Sequence, residues 1–250
     1  MKVVGIIPSR YGSTRLPGKP LKDICGKPMV WWVYQRAKKA QKVDEVYVAT
    51  DDSRISDVCS EYGIPFVMTQ STHPTAAHRL QEVSRKIDAD MYIQLNGDEP
   101  LIDPEIINAV VTDDFRTDIE CGVNIITKMS NPVEVNDPSN IKVVYDYRSY
   151  ALYMSRTAIP YPSKTLNYSY YKHVGIIGFN KKMLDFYVSS EPGHFESIEG
   201  IDTLRFIDYG KPLKLVPVEN CVSLSVDTEK DLEKVRAIIS ERIGRGETIV

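Results

Sequence analysis

The chain predicts an α/β protein with a mixed, mostly parallel sheet flanked by helices, and three features carry that expectation. Residues 3–7 (VVGII) are a β-branched run without polar alternation, which suits a strand covered on both faces. Further short apolar runs at 44–50, 64–68 and 91–95 alternate with helix-period segments, the cadence of βαβ units. Charged, glycine-bearing loops follow the first and fourth of these runs, at the strand ends where open α/β sheets gather ligands.

Composition sets the outer bounds. At 250 residues, 42% hydrophobic and 26% charged, the chain is long enough to bury a real core and resembles ordinary globular proteins. A net charge of −3 with mixed signs gives no basic stripe, so no nucleic-acid partner is expected. No apolar run approaches the roughly 20 residues of a spanning helix, so no membrane is expected either. Cys25, Cys59, Cys121 and Cys221 form no C-x-x-C pair. They predict buried free thiols and a reducing cytoplasm, not zinc or redox chemistry.

Pro8 stops the first strand, and the loop after it carries Arg10, Arg15 and Lys19 among Gly12, Ser13 and Gly18. Guanidinium forks match phosphate oxygens, lysine adds a point charge, and small residues let backbone N–H groups come close, so this loop suits a polyphosphate. It is not a P-loop: Gly12 and Gly18 are one residue too far apart, and Pro20 replaces the magnesium-binding hydroxyl. ICGKP at 24–28 is a turn that places Pro28 at a helix start. Met29, Val33, Ala37 and Ala40, with Val30 and Tyr34 beside them, give that helix one apolar face, and Trp31 and Trp32 are packing residues.

After the strand at 44–50, Asp51 and Asp52 fall at a strand end, where metal ligation is possible but helix capping accounts for at least one. Ile55, Val58, Cys59 and Tyr62 form the next helix face, which Gly63 closes. A strand at 64–68 and a helix with Thr75 as its cap and Leu80, Val83 and Ile87 inward come next. The strand at 91–95 runs into Asn96-Gly97-Asp98-Glu99-Pro100. An acid delivered there is a hard oxygen donor for magnesium on phosphate, although the same five residues also suit a tight turn.

Asp103 caps a helix with Ile106, Ile107, Val110 and Val111 inward. A strand is expected at 121–127 and a turn-rich connection at 130–140. A hairpin is expected from 141–145 and 151–154, then a strand at 171–179 and a charged helix at 195–205. Strands at 214–218 and 222–226 precede a final helix, whose Thr228 and Asp231 form a capping box and whose Leu232, Val235, Ile239 and Ile243 face inward. Asp227 is not needed for that cap. Residues 244–250 carry no pattern.

The string IIPSRYGSTRLPGKPL resembles the N-terminal signature of the 3-deoxy-manno-octulosonate cytidylyltransferase (CMP-Kdo synthetase) family, and the resemblance extends from Val3 to about Ile243. It implies a Rossmann-like nucleotidyltransferase fold with a smaller acceptor-binding and dimerisation lobe. One domain over 1–250 is expected, with 1–130 mainly binding CTP, 131–220 mainly serving acceptor and dimer contacts, and 221–250 supplying a metal ligand and the last helix. The resemblance implies that Arg10, Ser13, Arg15 and Lys19 hold the CTP triphosphate and that the backbone near Pro8 and Ser9 helps hold the cytosine. By the same resemblance, Arg10, Arg15 and Lys19 are expected to act with Asp98 in catalysis.

NGDEP resembles the family's Q-G-D-E-P, which implies that Asp98 binds magnesium and that Asn96 serves the CTP site. VDTEKDL resembles V-D-T-x-x-D-L, which makes Asp227 the second metal carboxylate. HPTAAHR keeps the family's His73, Thr75 and Arg79, placing Arg79 in the nucleotide pocket, but has Ala76, Ala77 and His78 where Gly, Thr and an acid are expected.

Toward the acceptor, ALYMSRTAIPYP implies Arg156, YKHVGIIGF implies His173, and FESIEGIDTLR implies Glu196 and Glu199 as substrate residues. Ile177 stands in place of a tyrosine and Thr203 in place of a glutamine, changes that point to a different or smaller acceptor. The expected function is therefore magnesium-dependent CMP transfer from CTP to a small acidic, Kdo-like acceptor by a homodimer. The alternatives are the same transfer to a phosphonate or phosphorylated metabolite, or a catalytically silent nucleotide-sugar binding protein.

Overall fold

The computed structural model describes residues 1–13, 15–165, 167–219, 221 and 224–250. The chain forms two compact units, Met1–Asn108 with Val222–Val250, and Ala109–Cys221. The α/β class holds.

The first unit opens with β1 (Val3–Ser9), a one-turn 3-10 segment (Lys19–Leu21) and the small hairpin β2 (Asp23–Ile24) and β3 (Lys27–Pro28). Then follow α1 (Met29–Lys38), β4 (Glu45–Thr50), α2 (Ser53–Glu61), β5 (Phe66–Met68), α3 (Ala76–Ser84), β6 (Met91–Gln94) and α4 (Pro104–Ala109). β1 is the centre: it pairs in parallel with β4 on one side and β6 on the other, and β4 carries β5. Its Val3, Val4, Ile6 and Ile7 are buried, as the unalternated run predicts. β5 begins only at Phe66 because Pro65 has no N–H for a ladder. α1 packs on β1 and β4, and α3 on β1, β4 and β6. In α1, Trp32 is buried and its indole N–H donates to the Ile24 carbonyl at 2.8 Å, a packing role. Asp52, Thr75 and Asp103 accept backbone N–H groups at the starts of α2, α3 and α4.

The second unit holds β7 (Gly122–Lys128), α5 (Pro132–Asn136), β8 (Lys142–Tyr145), β9 (Ala151–Ser155) and β10 (Tyr171–Phe179). It continues with α6 (Lys181–Ser189), α7 (His194–Glu199), α8 (Leu204–Asp208) and β11 (Leu213–Val218). β7 pairs antiparallel with β10 and parallel with β11, and β10 leads through β8 to β9 by antiparallel pairs. The strand pairing of the second unit is thus mixed, whereas β1, β4, β5 and β6 of the first unit pair in parallel.

The structure corrects the sequence reading in five places. The helix expected at 195–205 is two helices, because Gly200 adopts φ 62° and ends α7. α6 has no counterpart in the sequence reading; it starts directly after β10, where the Asn180 side chain accepts the Met183 N–H at 2.8 Å. In the strand expected at 222–226, Val222 and Ser223 lie outside the described residues, and Leu224, Ser225 and Val226 form no strand.

The fourth correction concerns α9 (Glu229–Gly244), which buries Leu232, Val235 and Ile239, while Ile243 is 51% exposed. Gly246, at φ 73°, turns the tail back so that Ile249 joins Trp32, Met29 and Leu16 in that core. Last, of the four thiols only Cys59 is buried, and Cys25, on a left-handed turn, is exposed.

Candidate active site

The loop after β1 and the turn after β6 meet in a cleft of about 400 Å³ lined by Pro8, Ser9, Arg10, Gly12, Ser13, Arg15, Lys19, Pro20, Gly97, Asp98 and Asp227. All of these residues belong to the first unit. Two glycines make the approach possible. Gly18 takes φ 66° at the start of the 3-10 turn that presents Lys19. A Cβ on Gly97 would come within 3.0 Å of the Pro8 carbonyl, so only glycine lets the Asp98 turn lie against the end of β1.

At the floor of the cleft two carboxylates converge on one cation. Lys19 Nζ donates to Asp98 Oδ2 at 2.8 Å and to Asp227 Oδ1 at 3.0 Å, and Arg15 reaches the same Asp227 oxygen at 3.1 Å. Lys19 has 14% of its side chain exposed, against 66% for Arg15. Burial works against the ammonium charge, but the attraction and hydrogen bonds of Asp98, with Asp227 behind it, outweigh that and raise the Lys19 pKa. Lysine therefore stays protonated at neutral pH.

Asp98 and Asp227 are remote in sequence and are stitched together by the backbone. The Val226 N–H donates to the Asp98 carbonyl at 2.8 Å. Beneath them the buried Glu99 accepts from Asn96 Nδ2 at 2.9 Å and from Ser225 Oγ at 3.4 Å. Asn96 thus braces the turn that carries Asp98. Neither Glu99 nor Ser225 stands out in the sequence, because the partner that gives each its role lies across the fold.

Arg79 is also in the first unit and is not among the residues that line the cleft. It is 5% exposed, donates to Thr69 Oγ1, and pairs with Asp51 at 3.4 Å. The nearby His73 Nε2 lies 2.6 Å from Glu82, and His78 Nδ1 lies 2.9 Å from Thr75 Oγ1.

The four acceptor-side residues lie in the second unit, where Arg156, Glu196 and Glu199 are held by hydrogen bonds and His173 is held through Nδ1. The Arg156 guanidinium donates to the carbonyls of Glu199 (2.7 Å), Pro138 (3.0 Å) and Gly200 (3.2 Å). Glu199 accepts from Ser155 Oγ at 2.7 Å and from the Arg156 N–H at 2.9 Å. Glu196 forms a buried two-point pair with Arg205, both contacts at 2.7 Å.

His173 precedes a bulge in the pairing of β10 with β7. Buried Asn124 fills that bulge, donating to the carbonyls of Val174 at 2.8 Å and Ile176 at 3.1 Å. Its Oδ1 is left to accept His173 Nδ1–H at 2.7 Å. Burial pushes the His173 pKa down to about 4, so the ring is neutral with Nε2 unprotonated. Three departures from the family pattern fill buried positions: Ala77, Ile177 and Thr203, whose hydroxyl contacts Met154 Sδ at 3.1 Å.

A parallel α/β sheet with a cation-lined cleft at its strand ends, floored by two converging carboxylates, defines a protein of the nucleotidyltransferase class. A cytidylyltransferase family model matches residues 4–215. The 3-deoxy-manno-octulosonate cytidylyltransferase of Fusobacterium nucleatum is 40% identical over 96% of this chain and 98% of its own length. The 8-amino-3,8-dideoxy-manno-octulosonate cytidylyltransferase of Shewanella baltica is 37% identical over 94% and 97%. Among solved structures, a CMP:2-keto-3-deoxy-manno-octonic acid synthetase complexed with CTP superposes with a TM-score of 0.90 at 39% identity, covering 97% of this chain and 100% of that one. The chain belongs to the 3-deoxy-manno-octulosonate cytidylyltransferase family.

Proposed function

We propose that this protein transfers the cytidylyl group of CTP to the anomeric hydroxyl of a 3-deoxy-manno-octulosonate-type sugar acid. The hydroxyl oxygen attacks the α-phosphorus, the bond to the β-phosphate oxygen breaks, and pyrophosphate leaves as the CMP-sugar acid forms. The observation that carries this reading is the convergence of Asp98 and Asp227 on Lys19 within the cationic cleft.

The chain's own contribution is position and charge, the main demands of phosphoryl-type transfer. Arg10, Arg15 and Lys19 face the polyphosphate and offset charge building on the leaving pyrophosphate. They also hold the triphosphate in line for attack.

The residues fit a divalent metal. Two hard carboxylate donors that share one cationic partner within 3.0 Å are the donor set magnesium uses when substrate phosphates and waters complete its shell. Asp98 and Asp227 would hold it. Magnesium there supplies neutralisation of phosphate charge and a lower pKa for the attacking hydroxyl.

His173, neutral and with Nε2 unprotonated, is suited to accept a hydroxyl hydrogen bond from the acceptor, and assembly as a homodimer belongs to the same reading. The free cysteines suit a reducing cytoplasm, and no helix among the described residues is long and apolar enough to cross a membrane. Incubating the protein with CTP, magnesium and 3-deoxy-manno-octulosonate tests the function. A product with the mass of the CMP-linked acid, formed one for one with pyrophosphate, is the expected result. Pyrophosphate without that product would overturn the acceptor assignment.

A further inference from the structure

The cationic loop is braced by a stack that the transfer itself does not use. Tyr11, which does not line the cleft, closes the loop on itself. Its carbonyl accepts the N–H groups of Ser13 at 2.9 Å and Gly18 at 3.0 Å. Its ring lies against Gly18, close enough that a Cβ there would come within 3.1 Å of it.

The Arg54 guanidinium lies on that ring, with Cζ 3.2 Å from the ring centroid. Arg54 is itself fixed. Asp52 accepts from its Nε–H at 2.8 Å and its Nη2–H at 2.6 Å, and also accepts the Arg54 backbone N–H at 3.0 Å as the cap of α2. A line of contacts therefore runs from the end of β4 through Asp52 and Arg54 to Tyr11, whose carbonyl ties down both ends of the segment carrying Ser13 and Arg15. Lys19 follows Gly18 directly.

We propose that Arg54 is a positioning residue for CTP. Stacked on Tyr11 and braced by Asp52, it holds the loop in the conformation that aims Arg15 and Lys19 at the triphosphate. The proposal rests on the cytidylyltransferase reading and adds to it a residue outside the cleft. A loop ordered before the nucleotide arrives loses less freedom on binding, so the benefit appears as affinity. The contact requires a flat guanidinium, because both the fork to Asp52 and the stack on the ring depend on planarity. Because the ring and ion-pair contacts of Arg54 among the described residues are to Tyr11 of this loop and to its own cap Asp52, its effect falls on CTP and not on the acceptor acid.

Steady-state kinetics on the full-length protein test this, with each substrate varied in turn. R54A should raise the KM for CTP roughly two- to fivefold, the fold-change of an exposed cation–π contact. The kcat, the acceptor KM and the melting temperature should stay at the unmodified values. R54K keeps the charge but not the plane and should behave like R54A. Y11F should be unchanged, and R54A added to Y11A should raise the CTP KM no further than Y11A alone.

An unmoved CTP KM in R54A would overturn the proposal. So would rescue by R54K or a full additional effect in the Y11A background, since either makes Arg54 a direct charge on the nucleotide. A parallel rise in both KM values with a fall in melting temperature would make it a general stability residue, and also overturns the proposal. If the unmodified protein releases no pyrophosphate from CTP, the cytidylyltransferase reading fails and the proposal with it. Turnover with an unmoved CTP KM in R54A removes the proposal alone.

Discussion

The Val226 N–H donates to the Asp98 carbonyl at 2.8 Å, and this one backbone bond brings the segment before α9 alongside the turn after β6. It sets Asp227 beside Asp98, so that two acids from opposite parts of the chain share Lys19. The chemistry proposed for the cleft depends on that pairing.

Asp98→Asn and Asp227→Asn each remove a carboxylate charge with almost no change of shape. Pyrophosphate release from CTP should fall at least about a hundredfold, as it does when a preorganised charge contact is lost. Circular dichroism and the melting temperature should stay close to the unmodified values. Unmodified turnover in either variant contradicts the roles given to these acids.

Lys19→Ala takes away the cation on which both acids converge. CTP affinity, read by calorimetry, should weaken by roughly 1.5–3 kcal/mol, the size of a hydrogen bond to a charged group. Affinity equal to that of the unmodified protein would mean that the lysine serves the carboxylates and not the triphosphate.

Glu196 and Arg205 are a buried pair, with only 8% and 4% of their side chains exposed. Glu196→Ala leaves the guanidinium buried without its carboxylate and should cost about 3–5 kcal/mol of stability in urea unfolding. A stable variant with a raised acceptor KM would instead assign Glu196 to the acceptor, as the family resemblance implies.

His173 makes stability depend on pH. Burial lowers its pKa from 6.5 to about 4, so in falling pH the unfolded chain takes up a proton first. The stability tied to the neutral ring is complete above 6.5 and is lost as pH falls toward 4, because the unfolded state binds more protons in that window. His173→Gln should flatten the dependence of the urea midpoint on pH between those values. An unchanged slope would mean that the ring is not desolvated.

Much of this architecture is legible in the sequence because its causes are local. β1, β4 and β6 follow from apolar runs, and the caps at Asp52, Thr75, Asp103 and Thr228 follow from short polar side chains at helix starts. The cationic loop is legible because its residues are contiguous. What escapes is set across the fold. α6 follows β10 with only Asn180 between them, and Ile243 gives up its core place to Ile249 only because Gly246 turns the tail. No spacing rule shows that the Arg156 fork meets three backbone carbonyls or that Ser225 binds Glu99. Those partners exist only once the chain has closed.

The activity proposed for the cleft holding Lys19, Asp98 and Asp227 is transfer of a cytidylyl group from CTP to a sugar acid. Continuous measurement of pyrophosphate from the unmodified protein, with CTP and 3-deoxy-manno-octulosonate and with or without magnesium, tests it most directly. Release that requires the nucleotide, the acid and magnesium together is the predicted result. No release with all three present would contradict it.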